Sequence, residues 1–339
     1  MTPIRSDAAE LRGDRLPELL SSAAPGIFGS LPCRAIAPNA ARIENADPDE
    51  PLQSAASRMW WKQVGALAVV ADGQLVGSLS EDDLLRVTAA RLDEAKAEVD
   101  AAGGALRVWD DLLGRLRVAD AMTPRAELPR APAESPLLAG VEQICAPTSA
   151  GTRSRHLWLL GERDELVRVI SIRDIARYLT DLYDRDFPAE AFPSAQHLAC
   201  ARRFADALLD LPIGAIPALG HAPVVAPLAA PGDETVRSMW QERRGYAIAV
   251  FADGAPMGIC TRRDLLRALR SPFVKLGDLR AACLMTVRVK SVTDVDTLCG
   301  LFKLMAIEGC RHMPLLDEED RVSRVISMWE AVALLGAGR

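Results

Sequence analysis

A hydroxyl followed three residues later by a carboxylate occurs at four comparable places in this chain: Ser80 and Asp83, Ser171 and Asp174, Thr261 and Asp264, Ser327 and Glu330. Each pair stands where a short apolar strand gives way to a helical pattern. At a helix N-terminus the first N–H groups lack intrahelical partners and the dipole favours an anion, so a phosphate could sit there with the hydroxyl's help. The same spacing makes a capping box, in which hydroxyl and carboxylate satisfy two backbone donors. Both readings stay open. Arg173 precedes Asp174, and Arg262 and Arg263 precede Asp264, so cationic donors flank those carboxylates. Glu81 and Asp82 precede Asp83, a cluster that repels phosphate. The second and third pairs therefore rank first as ligand sites, with the first and fourth degraded or specialised.

The elements that position these pairs recur. Met59–Arg86 aligns with Met239–Arg267, sharing Met-Trp, Asp-Gly and Asp-Leu-Leu-Arg at matching places. The segment beginning at Arg155 aligns without a gap with the one beginning at Arg311. The order is A-B-A′-B′, four related units in two similar halves. Each unit predicts a helical segment, then a strand (Ala66–Val70, Leu157–Leu160, Ala247–Phe251, Met313–Leu316), then a second strand (Leu75–Leu79, Leu166–Ile170, Pro256–Cys260, Val322–Ile326). Asp72-Gly73 and Asp253-Gly254 mark hairpin turns. A helix follows each hydroxyl. Trp60 and Trp240 are expected to anchor helix packing. Arg155-His156 and Arg311-His312 open the first strand of the even units only, where adjacent side chains point to opposite faces.

The 339 residues carry a net charge of −6, with 49% apolar and 25% charged residues, an ordinary globular balance. That charge does not advertise a nucleic-acid partner. Seven cysteines are scattered without Cys-x2-Cys spacing, which argues against a zinc site or thioredoxin-like motif and fits free thiols in a reducing compartment. No signal segment or membrane span is read, and the expected location is cytoplasmic. Nucleophile elbows, zinc-protease motifs and long phosphate loops are lacking, so no enzyme is expected and no catalytic or metal-ligating residue is assigned.

Val118-Ala119-Asp120-Ala121-Met122-Thr123-Pro124 resembles the opening of a CBS domain, and Arg168–Ile175 its closing strand and helix start. Gly258–Leu266 resembles that ending more closely, Gly77–Leu85 is the first unit's version, and Leu284-Met285-Thr286 with Val325-Ile326-Ser327 the fourth's. Units one and three open degenerately, at Ile36-Ala37-Pro38 and Pro223–Pro227. The resemblance implies an α/β fold (α+β repeats): four CBS-type repeats paired into two Bateman-like modules. The expected layout is an N-terminal arm (1–29), a first pair (30–182, repeats about 30–90 and 115–180 with a helical insertion 86–116), a helical connector (183–211) and a second pair (212–335, repeats about 212–270 and 273–335). Four-repeat organisation resembles the nucleotide-sensing gamma subunit of AMP-activated kinase.

In such a protein the aspartate takes ribose hydroxyls, for which a carboxylate suits by accepting both hydrogens of a vicinal diol. The resemblance implies a ligand set of Ser171, Asp174, Arg173, Thr261, Asp264, Arg263, Ser80, Asp83, Thr123 and Thr286. Arg155 and Arg311 are expected to face phosphate through their bidentate forks. The implied ligand is an adenine nucleotide (AMP, ADP or ATP), with S-adenosylmethionine or cyclic di-AMP as alternatives and no catalytic cofactor. Binding in grooves between paired repeats would be transmitted to an unidentified protein partner by a monomeric disk or a homodimer. The alternative is a ligand-free structural adaptor with degenerate CBS sites.

Overall fold

The computed structural model describes residues 31–36, 43–102, 115–146, 154–270, 276–287 and 289–334. The N-terminal arm expected over 1–29, the Ala37-Pro38 opening and the later part of the 86–116 insertion lie outside these. Each repeat follows one β-α-β-β-α grammar. Repeat one comprises β1 (Asn45–Ala46), α1 (Leu52–Trp61), β2 (Ala66–Ala71), β3 (Gln74–Ser80) and α2 (Glu81–Ala102). The helix after Ser80 thus runs without interruption into the insertion. A short strand β4 (Thr123–Pro124) precedes repeat two, built from β5 (Arg130–Pro132), α3 (Leu137–Cys145), β6 (His156–Leu160), β7 (Leu166–Ser171) and α4 (Ile172–Asp184). The connector contributes α5 (Ala195–Leu209).

Repeat three has β8 (Val225–Pro227), α6 (Gly232–Gln241), β9 (Tyr246–Val250), β10 (Pro256–Thr261) and α7 (Arg262–Leu269). A two-residue β11 (Thr286–Val287) leads to repeat four, with α8 (Leu298–Ile307), β12 (His312–Leu316), β13 (Val322–Ser327) and α9 (Met328–Ala333). In every repeat the second and third strands form an antiparallel hairpin, and the first strand or bridge runs parallel to the second. Asp72 and Gly73 both take left-handed φ, 50° and 77°, the conformation that a tight hairpin turn demands.

The segments that open the even repeats add to a preceding sheet: β4 pairs with β3, and β11 with β10. The chain divides into two compact units that cut across the sequence halves. One unit comprises 42–128 and 223–289, the other 1–41, 129–222 and 290–339. Each takes one repeat from each half. In the first, α1 and α2 of repeat one pack on α6 and α7 of repeat three around Leu52, Met59, Leu84, Val236, Met239 and Leu265. In the second, α4 packs on α5, α8 and α9. Its face of Ile172, Ile175, Ala176, Leu179 and Leu182 has the 3-and-4 spacing of a helix stripe and is buried. Trp60 and Trp240 are half-buried against the first unit's core, while Trp61 is exposed.

Candidate ligand site

Each hydroxyl–carboxylate pair is the last strand residue followed by the first helical turn, and all four close capping boxes. Asp83 Oδ2 accepts from the Ser80 N–H at 2.8 Å and its hydroxyl at 2.6 Å. Asp174 Oδ2 does the same with Ser171 at 2.7 Å and 2.7 Å, and Asp264 Oδ2 with Thr261 at 2.8 Å and 2.8 Å. Glu330 Oε2 accepts from the Ser327 N–H at 2.9 Å. Capping therefore engages one carboxylate oxygen in every repeat. What distinguishes the repeats is the other oxygen.

In repeat one that oxygen is taken by Thr123, whose hydroxyl donates to Asp83 Oδ1 at 2.7 Å. In repeat three Thr286 donates to Asp264 Oδ1 at 3.0 Å. Strand register explains both contacts. Thr123 pairs with Ser78 and Thr286 with Ile259, each two residues before the cap. His221 bridges Val325 at the same offset in repeat four, and its Nε2 pairs with Glu330 Oε1. A residue arriving on this added strand thus faces the carboxylate in three repeats. Arg86 reaches Asp83 Oδ1 at 3.5 Å and Arg267 reaches Asp264 Oδ1 at 3.3 Å, each also donating to a backbone carbonyl, Ala121 and Leu284. Burial pushes the carboxyls of Asp83 and Asp264 up, opposed by these hydroxyls and guanidinium charges.

Asp174 differs. Its side chain is half-buried, and among the described residues Oδ1 accepts no hydrogen bond, while Oδ2 holds the cap. It is the open carboxylate edge among the four caps as described. The Ile172 N–H donates to the Arg155 carbonyl at 3.0 Å, and the Met328 N–H to that of Arg311 at 2.9 Å, so these arginines sit in the turn against their repeats' caps. Both side chains are half-buried, and of the neighbouring histidines His312 is buried. Arg173 is exposed and reaches the Gly309 carbonyl at 3.5 Å.

The arginines beside Asp264 point elsewhere. Arg263 donates to Glu81 Oε1 at 2.9 Å, the Val64 carbonyl at 3.1 Å and Gln63 Oε1 at 3.0 Å. Arg262 pairs with Asp82. The cation on Asp264 is Arg267, a residue visible in the recurring Asp-Leu-Leu-Arg and placed by its three-residue helical spacing. His221 had no sequence signal beyond its place before the Pro223–Pro227 opening. Among the described residues, no group of three or more His, Cys, Asp or Glu side chains is arranged to hold a metal, and no helix is long and apolar enough to cross a membrane.

The CBS-domain family model matches residues 42–90, which span repeat one through the first half of α2. Curated protein sequences yield no match. Among solved structures, a Methanocaldococcus jannaschii protein described as a candidate archaeal homolog of g-AMPK is 16% identical, with 89% of this chain and 99% of that one covered at a TM-score of 0.66. An uncharacterized conserved protein of Pyrococcus horikoshii covers 80% of this chain and 91% of its own at 14% identity and TM-score 0.48. A Pyrobaculum aerophilum CBS domain protein, solved in complex with AMP, covers 38% and 100% at 21% identity and TM-score 0.33. At such identities the likeness to the archaeal protein is one of fold, and it extends over all four repeats. Repeat one carries the sequence signature of the CBS-domain family, and the other three repeats share its β-α-β-β-α fold.

Proposed function

We propose that this chain is a non-catalytic regulatory protein that binds an adenine nucleotide, or a related adenosyl compound, at its CBS caps. Repeat two is the principal site. The observation that carries this reading is the open edge of Asp174, beside a helix N-terminus and the Arg155 turn. Asp174 Oδ1 would accept ribose hydroxyl hydrogens, while the N–H groups opening α4 and the Ser171 hydroxyl favour phosphate. Arg155 and Arg173 supply the nearby positive charge. Thr123, Asp83, Thr261, Asp264 and Thr286 form closed hydrogen-bonded sets in repeats one and three, so a ligand there must displace a threonine hydroxyl. Ligand binding shifts a regulated partner by as much as its affinity differs between two states of the protein.

A second reading has its own support. Three of the four carboxylates are already satisfied by the chain, as a structural adaptor with degenerate sites requires. Calorimetric titration of the full chain with AMP first, then ADP, ATP, S-adenosylmethionine and cyclic di-AMP, separates the two. The sensor reading expects saturable binding that weakens about tenfold or more in Asp174→Ala, the loss expected for a hydrogen bond to a charged group. Absence of heat and of thermal stabilisation with all five leaves the adaptor.

A further inference from the structure

The residues directly after the caps of repeats one and three form a crossed pair of ion pairs. Glu81, the first residue after the cap in repeat one, pairs with Arg263, the second after the cap in repeat three. Asp82, the second in repeat one, pairs with Arg262, the first in repeat three. The arrangement is reciprocal, as two equivalent helix starts facing each other across a local two-fold require. Equivalent backbone bonds support both sides: the Glu81 N–H donates to the Gly65 carbonyl at 3.2 Å, and the Arg262 N–H to that of Gly245 at 3.2 Å. Glu81 and Arg262 are almost wholly buried, at 4% and 7% side-chain exposure, so neither charge can be left unpaired cheaply. The other compact unit has no such set at its matching positions, which hold Ile172 and Arg173 in repeat two and Met328 and Trp329 in repeat four.

We infer that Glu81, Asp82, Arg262 and Arg263 are a charge code that makes repeat one pair with repeat three and with neither its own kind. The geometry dictates the alternatives. Repeat one facing a second repeat one would bring four carboxylates together, and repeat three facing another would bring four guanidinium groups together. Discrimination of this kind comes from the repulsion built into the wrong pairing as much as from the attraction in the right one. Four repeats of one fold offer similar apolar helix faces, so burial alone does not choose among them. The code also gives a use to the acidic cluster of repeat one, which a phosphate-binding role does not explain.

The test uses full-length chains and two readouts, melting temperature and mass by light scattering. The double reversals Glu81→Arg/Asp82→Arg and Arg262→Glu/Arg263→Glu each set four like charges face to face. Each is expected to lower Tm by about 5 °C or more, or to prevent folding. The fourfold variant carrying both reversals exchanges the charges, and it exchanges the helix-terminus interactions as well rather than removing them. It is expected to recover at least half of the lost Tm and the mass of the unsubstituted protein. A fourfold variant whose loss equals or exceeds the sum of the two double reversals, or that fails to fold, overturns the code. So does a double reversal that leaves Tm unchanged.

Discussion

The hydroxyl of Thr123 donates to Asp83 Oδ1 from a strand that opens the following repeat, and so ties the start of one repeat to the helix cap of another. Thr286 stands to Asp264 in the same way, at 3.0 Å. A ladder two residues long contributes few backbone bonds, and the side-chain contact adds to what holds each added strand, beside the bonds from Arg86 and Arg267 to the Ala121 and Leu284 carbonyls. The carboxylate serves two elements at once: Oδ2 caps the helix and Oδ1 anchors the strand.

Removing that hydroxyl while keeping its shape is therefore expected to be costly. Thr123→Val leaves Asp83 Oδ1 buried with only the long contact from Arg86. A loss of about 1–3 kcal/mol is expected, the usual penalty for a buried acceptor deprived of its partner. Thr286→Val should behave alike at Asp264. Urea denaturation of the single variants and of Thr123→Val in an Asp83→Asn background measures the coupling. Additive losses would show that the hydroxyl and carboxylate do not act together.

Burial raises the carboxyls of Asp83 and Asp264 above their ordinary 3.8. The sign follows from proton counting. A carboxyl whose folded pKa exceeds its unfolded one holds more protons when native, so its contribution to stability falls as pH rises above 3.8 towards the folded value. Asp83→Asn and Asp264→Asn remove that titration. Their stability relative to the parent protein is expected to improve from pH 4 to pH 7 in urea denaturation series. A shift in the opposite direction would mean that the hydroxyls and arginines outweigh desolvation.

Much of the local architecture was legible in the chain. The second strand of each hairpin ends at its hydroxyl, one residue beyond the apolar run, because the capping residue keeps extended backbone and is still the last rung of the ladder. The first strands begin where expected or one residue earlier, at His156, Tyr246 and His312, and Phe251 falls outside β9 and is exposed. Hairpins and caps are short-range, so residue type and spacing report them. The partnership of Arg263 with Glu81 spans 182 residues and depends on which helix faces meet, which local pattern does not record. His221 was hidden for a related reason. Its position opposite Glu330 is set by a single bridge to Val325, in a segment that shares no motif with Thr123 or Thr286.

Gly245 offers a sharper test of how closely the two repeats are fitted. Its φ is +68°, and a Cβ there would overlap the Arg262 guanidinium. Alanine must therefore bear left-handed strain and also push the guanidinium off Asp82. Gly254 is a built-in comparison: its φ is +86°, and a Cβ there would meet nothing within 4 Å. Gly254→Ala should lose only the backbone term, about 1–2 kcal/mol, whereas Gly245→Ala should lose roughly 2–3 kcal/mol more. The excess should be absent when Asp82 is already alanine, since Arg262 then has no pair to lose. If Gly245→Ala costs the same as Gly254→Ala in the parent protein, Arg262 moves aside freely and its pairing with Asp82 contributes nothing to the fit of repeat one on repeat three.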